Sequence, residues 1–243
     1  MHIHPQEFLS RPDAYRASRT FRKLLRHDFR ELVLTGGLAV EIHRVSRGCQ
    51  PSVRMLNDID VITESFDSIP VALADSFLFR HIHPFDPPGK TLLQCVDAEN
   101  TVRVDIFRAY GAEMRRTSTA DFTFGEIRLI SFEDLVARSA RLALDLANDI
   151  LTPLVHAIDF LRLVELTEPT QVESVWPDHR MSWQPATFVE ASKLLNDLIP
   201  ARRHLLIPRN YSKDTATHCS RCNNTVAFRL ANPDVVLSLL GYC

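Results

Sequence analysis

The chain has 243 residues, 45% of them apolar, and 28 Lys and Arg against 30 Asp and Glu give a formal net charge of −2. That length suits one large domain or two small ones with a real core, and the charge balance excludes a global pull toward nucleic acid while leaving room for a local basic patch. No apolar run reaches the length of a membrane span, the opening MHIHPQEFLS lacks a basic region followed by an apolar stretch, and the five cysteines are scattered, so a cytoplasmic protein with free thiols and no membrane partner is expected.

Residues 12–30 are expected to form a helix, with Phe21, Leu24, Leu25 and Phe29 apolar. Arg16, Arg19, Arg22, Lys23, Arg26 and Arg30 recur along it at spacings near three and four. Such a stripe is either an ordinary solvated face or a contact for a polyanionic acceptor such as RNA. ELVLT (31–35) reads as a short buried strand running into Gly36-Gly37, with a helix over 38–47. A second strand is expected at 59–63, and 65–80 is expected to be helical in its later part. Residues 91–96 and 101–109 read as paired strands around a turn at 97–100, and 126–130 as another strand.

The chain then changes character. Ser131 with Asp134 has the form of a capping box, Asp standing in place of Glu or Gln. SFEDLVARSARLALDLANDI, PLVHAIDFLRLVEL and 188–199 are helical in period. A last helix is expected over 232–242, with Asn232 as N-cap and Pro233 at its first position. The expected class is therefore α/β (α+β): an α/β domain over 1–130, then a mostly helical C-terminal domain over 131–243.

Three carboxylates carry the chemistry. In RMLNDIDVIT, a strand from Asp58 projects Asp58 and Asp60 to one face and Ile59 and Val61 to the other. Two adjacent carboxylates repel unless a cation neutralises them, and paired Mg²⁺ ions would do so while holding a triphosphate. Alone, D-x-D is more often a solvated strand end. Asp105 is a third, set in the apolar strand TVRVDIFRA, where a charge needs a partner. It is either paired with Arg103 at a sheet edge or a third metal ligand from a neighbouring strand. Gly36 and Gly37, between a strand and a helix, form a turn that brings backbone N–H groups to one point, as phosphate binding requires.

In this order, VLTGGLAVEIHR, RMLNDIDVI and VRVDIFR resemble the glycine turn, metal-binding D-x-D and third carboxylate of the nucleotidyltransferase superfamily of DNA polymerase β type. More narrowly, Gly36, Gly37, Ala39 and Arg54, four positions before the D-x-D, resemble the AbiEii-type abortive-infection toxins. The resemblance spans about residues 30–150. It departs at Leu56, where those relatives often have Thr, and at Arg138 and Arg141, where many have Lys. It implies a mixed sheet with flanking helices. It also implies two Mg²⁺ held by Asp58, Asp60 and Asp105, and an NTP bound through Gly36, Gly37 and Arg54. The implied reaction is NMP transfer to an RNA, protein or small-molecule acceptor, in a toxin-type enzyme with an antitoxin partner. The rival is a catalytically silent nucleotide- or partner-binding module of the same fold. Two minor features complete the chain. HIHP occurs at 2–5 and 81–84, and HCSRC (218–222) offers Cys219, Cys222 and His218, with Cys243, as a weak zinc set against free thiols in a polar loop.

Overall fold

The structure, a computed structural model, describes residues 2–27, 31–80, 92–122, 125–208 and 228–230. The second HIHP, HCSRC with Cys243, and the helix expected at 232–242 lie outside these residues. Ser10 accepts the Asp13 N–H at 3.3 Å and opens helix α1 (Arg11–Arg26). Ala14, Ala17, Phe21 and Leu24 form its buried stripe, whereas Leu25 falls off that stripe and is 37% exposed.

The sheet strands are β1 (His2–Ile3), β2 (Val33–Leu34), β3 (Asp58–Thr63), β4 (Leu78–Arg80), β5 (Leu92–Asp97), β6 (Val102–Arg108), β7 (Thr117–Phe122) and β8 (Gly125–Ile130). A short pair, β9 (Thr152–Pro153) and β10 (Leu206–Ile207), stands apart from the sheet, and β11 (Phe228–Leu230) joins it at β4. The sheet order is β1-β7-β8-β2-β3-β6-β5-β4-β11. It is mixed: β3 runs parallel to β6 and antiparallel to β2, while β5–β6 and β7–β8 are antiparallel hairpins. Strand β6 is therefore internal, which removes the edge-strand alternative for Asp105.

Helix α2 (Gly36–Ser46) follows β2, so both glycines lie in its first turn and not before it. It buries Leu38, Ala39, Val40 and Ile42. His43, on the same helix, is buried, with Nε2–H donating to the Ile130 carbonyl at 2.8 Å and Nδ1 accepting from Arg47 at 3.3 Å. Burial, with the Arg47 charge adding to it, pushes this imidazole down from 6.5 to about 4, despite the opposing bond to Ile130.

Ser131 caps α3 (Phe132–Ala143) as expected, its Oγ accepting the Asp134 N–H at 3.0 Å. After it come α4 (Leu154–Val164), the one-turn helices α5 (Pro169–Val172) and α6 (Trp176–His179), and α7 (Phe188–Ala201). Among the described residues no helix is long and apolar enough to cross a membrane, and Cys49 and Cys95 are free.

Residues 65–80 differ from expectation. They form 3-10 turns at Phe66–Ser68 and Val71–Asp75 and then β4. Ser65 and Ser68 bond locally, with Ser68 Oγ donating to the Ser65 carbonyl at 2.7 Å, and Pro70 cannot donate an N–H to a helix. Ile69, Leu73, Ala74 and Phe77 are nonetheless buried, so their helix-like spacing reports burial rather than an α-helix.

Candidate active site

The β3–β6 register builds the site. Asp60 stands opposite Asp105 and Asp58 opposite Arg103, so alternation sends all four side chains to one face. Ile59, Val61, Val104 and Ile106, each at most 1% exposed, fill the other face. One oxygen from each of Asp58, Asp60 and Asp105 lies within 4.8 Å of the others. Three hard carboxylate oxygens at that spacing form a donor set that fits Mg²⁺. Arg103 is in their midst: its Nη2 bonds Asp58 Oδ2, and its Nε lies 3.1 Å from Asp105 Oδ1. Burial works against this guanidinium, but the Asp105, Asp58 and Asp60 charges outweigh it and raise its pKa.

The two glycines turn out to differ. Gly36 has φ +65°, and a Cβ there would sit 2.0 Å from Asp60 Oδ2 and 2.7 Å from Asp60 Cβ. Its first duty is thus to let the β2–α2 turn close against Asp60, and Thr35 N–H donates to the Asp60 carbonyl at 2.9 Å in the same turn. At Gly37 the atoms nearest to an added Cβ would be those of the Arg54 guanidinium, at 3.1–3.3 Å.

Arg54 is engaged with the protein itself. Its Nη1 and Nη2 donate to Asp159 at 2.8 and 3.0 Å, and Nη1 lies 3.4 Å from Glu41. Glu41, wholly buried on α2, also takes Arg162 at 2.7 Å and Arg44 at 3.1 Å. This network ties α2 to α4, and neither Glu41, Asp159 nor Arg162 was singled out from the sequence. The available signal was a carboxylate in each of two apolar helical stretches, LAVEIH and LVHAIDFL.

A cleft of about 350 Å³ collects these groups. Gly36, Gly37, Arg54 and the three aspartates line it, as do Tyr110 and, from α3, Arg138 and Arg141. Both guanidiniums lie over the Tyr110 ring, at 4.6 and 4.2 Å from its centroid. Arg138 also pairs with buried Glu113 at 2.9 Å, whereas Arg141 has no carboxylate within ion-pair distance among the described residues.

A second acidic group, Glu113, Asp134 and His179, is fully buried. Here the protein supplies its own partners: Asp134 takes Arg116 at 2.7 and 2.9 Å, His179 at 2.8 Å and Ser131 at 2.6 Å. Burial would raise the Asp134 carboxyl, but these donors hold it well below the usual range. With Arg116 and Arg138 in place, this group is a structural knot rather than a cation site. The basic stripe of α1 is also partly answered internally. Lys23 lies 2.7 Å from Asp97 and 2.8 Å from Glu99, and Arg16 lies 2.5 Å from Asp13, while Arg22 and Arg26 stay exposed.

No family model and no curated relative matches the chain. Among solved structures it is similar to the antibiotic-resistance factor ANT(2'')-Ia, at 13% identity and a TM-score of 0.45, over 79% of this chain and 97% of that one. It is also similar to an antigenic nucleotidyltransferase-like protein from Paracoccidioides brasiliensis, at 13% identity and a TM-score of 0.42, over 79% of this chain and 94% of that one. Likeness of this degree leaves the chemistry to be read from the site itself.

Proposed function

We propose that the chain is a Mg²⁺-dependent nucleotidyltransferase that moves NMP from an NTP to an acceptor hydroxyl. The observation that carries this reading is the convergence of three carboxylates from two adjacent strands in a cleft that cationic side chains also line. Asp58, Asp60 and Asp105 would hold two Mg²⁺, which when bound neutralise triphosphate charge and polarise the reacting oxygens. Gly36 and Gly37 open α2, where helix N–H groups lack intrahelical partners and suit phosphate oxygens. Arg141, which lines the cleft and feels Asp145 only as a nearby charge, is the side chain we assign to the triphosphate. Arg54 would act on nucleotide through the wall it holds with Asp159, since both its terminal nitrogens are taken.

In the reaction, the acceptor oxygen forms a bond to the α-phosphorus as the bond to the β-phosphate oxygen breaks. Pyrophosphate leaves, and the acceptor proton passes to the Asp105 carboxylate. The helical segment from 131 onward we assign to a C-terminal domain that covers acceptor and nucleotide. An RNA, protein or small-molecule acceptor fits this chemistry, and the toxin-type resemblance adds an antitoxin partner.

The presence of Arg103 among the carboxylates favours one second reading, a silent nucleotide- or partner-binding module in which the guanidinium stays in the metal position. One experiment separates the two. The protein is incubated with each α-labelled NTP, Mg²⁺ and cell extract, with Asp60→Asn as control. Label on a macromolecule or metabolite that depends on Asp60 supports transfer. NTP binding with no transfer to any component supports the silent module. Co-purification with a neutralising partner tests the antitoxin.

A further inference from the structure

Arg103 shares a strand with Asp105, two residues before it, and faces Asp58 across the β3–β6 pair. Its guanidinium therefore emerges on the face that carries the carboxylates, inside the ring of oxygens that the proposed metal would use. Its two contacts are unequal. Nη2 hydrogen-bonds Asp58 Oδ2, but Nε, though 3.1 Å from Asp105 Oδ1, makes no hydrogen bond. The Asp105 contact is thus charge against charge, without the directional bond that would lock it.

We propose that Arg103 is an internal cation that competes with divalent metal for Asp58 and Asp105, so that the charge of the metal-free site is partly offset by the protein and loading requires the guanidinium to withdraw. The inference rests on the metal-site reading above and adds a positioning residue that sets how readily the site fills. The competition follows from the atoms involved. Asp58 and Asp105, which take the guanidinium, are two of the three carboxylates a metal needs, and a dication beside a guanidinium in a partly buried site is repelled. Without Arg103, three carboxylates within 4.8 Å would repel one another in the metal-free protein. Arg103 therefore stabilises the empty site and weakens the filled one. A purely structural arginine would stabilise both alike.

The test uses the full chain stripped of metal with chelator, titrated with Mn²⁺ as a hard-oxygen analogue of Mg²⁺, and followed by the resonance signal of free Mn²⁺. Arg103→Gln removes the charge and Arg103→Lys keeps one on a shorter, compact ammonium without the planar fork of the guanidinium. Arg103→Gln is expected to bind Mn²⁺ about tenfold more tightly than wild type, equivalent to about 1.4 kcal/mol, with Arg103→Lys between them. In chelator the Gln variant should melt lower than wild type, and Mn²⁺ should raise its melting temperature by more. If the Gln variant folds only with metal, that supports the competition, and the Lys variant then supplies the affinity comparison. Equal or weaker Mn²⁺ binding by the variants overturns it while leaving the metal site standing. Absence of Mn²⁺ binding in wild type and both variants removes the metal site, and the competition with it.

Discussion

Gly36→Ala and Gly37→Ala are one methyl group each, on neighbouring residues, and should differ sharply. At Gly36 the backbone is left-handed, φ +65°, which costs an alanine about 1–2 kcal/mol. The new Cβ would also stand 2.0 Å from Asp60 Oδ2, 2.6 Å from its Cγ and 2.7 Å from its Cβ. A rotamer change cannot clear the last of these, because Asp60 Cβ is fixed to β3. The turn and the strand must separate, at an overpacking cost of about 1–3 kcal/mol. The sum, about 2–5 kcal/mol, lowers the melting temperature of a chain this size by about 4–20 °C. At Gly37 the added Cβ meets first the end of Arg54, at 3.1–3.3 Å, a contact relieved by a shift of a few tenths of an ångström. Exchanging Gly for Ala inside a helix gains about 1 kcal/mol, so Gly37→Ala should melt close to wild type. Thermal melts give the stability half and Mn²⁺ titration the functional half, since displacing Asp60 should weaken metal binding in Gly36→Ala alone. Gly36→Ala melting with the wild type and binding Mn²⁺ unchanged would refute the claim that this turn positions Asp60.

Asp60→Asn should lower transfer by about 10³-fold, equivalent to about 4 kcal/mol of transition-state stabilisation, while its melting temperature in chelator holds or rises because one of three repelling charges is gone. Transfer at the wild-type rate with a lower melting temperature would make these carboxylates structural. His43, pushed down to about 4, is neutral when folded but takes a proton when unfolded below about 6.5. It contributes nothing to pH dependence above about 6.5, and stability falls by up to about 3 kcal/mol as pH drops from there toward 4. In urea unfolding, His43→Gln should flatten that slope, and an unchanged slope counts against the assignment. Asp159→Ala leaves Arg54 with Glu41 alone and should cost about 3 kcal/mol, read from the same urea curves.

What was legible in the sequence followed from local rules. The Ser131 cap, the β5–β6 hairpin and the helices over α3, α4 and α7 are each written within one short continuous stretch, in periods and caps that the chain obeys. Asp105 stood out because a charge in VRVDIFR contradicts its own strand. Strand β7 was missed because TSTADF carries few apolar residues to alternate, and its Ser118 and Thr119 are exposed. Helices α5 and α6 span four residues each, too short for any period to show. The partners of Arg54 could not be read at all, since Asp159 lies 105 residues downstream. Nor could the placing of Arg103, which depends on β3 and β6 being parallel neighbours in one register.

That register has a consequence for folding as well as for chemistry. Strands specify their pairing by what each face can tolerate, and a slip of one residue turns every side chain over. Were β6 to slip by one residue relative to its sheet, Asp105 and Arg103 would enter the layer now filled by Ile59, Val61, Val104 and Ile106. Two charges would be buried against an apolar wall, at a cost of several kcal/mol each. A chain whose strands carried only valine and isoleucine at these positions would have no such penalty and could settle in more than one alignment. Arg103 and Asp105 thus also discriminate among alignments of β6 while the protein folds, before any substrate arrives. Replacing Arg103 and Asp105 with apolar residues should leave a chain that still collapses but holds β6 less strictly to a single alignment.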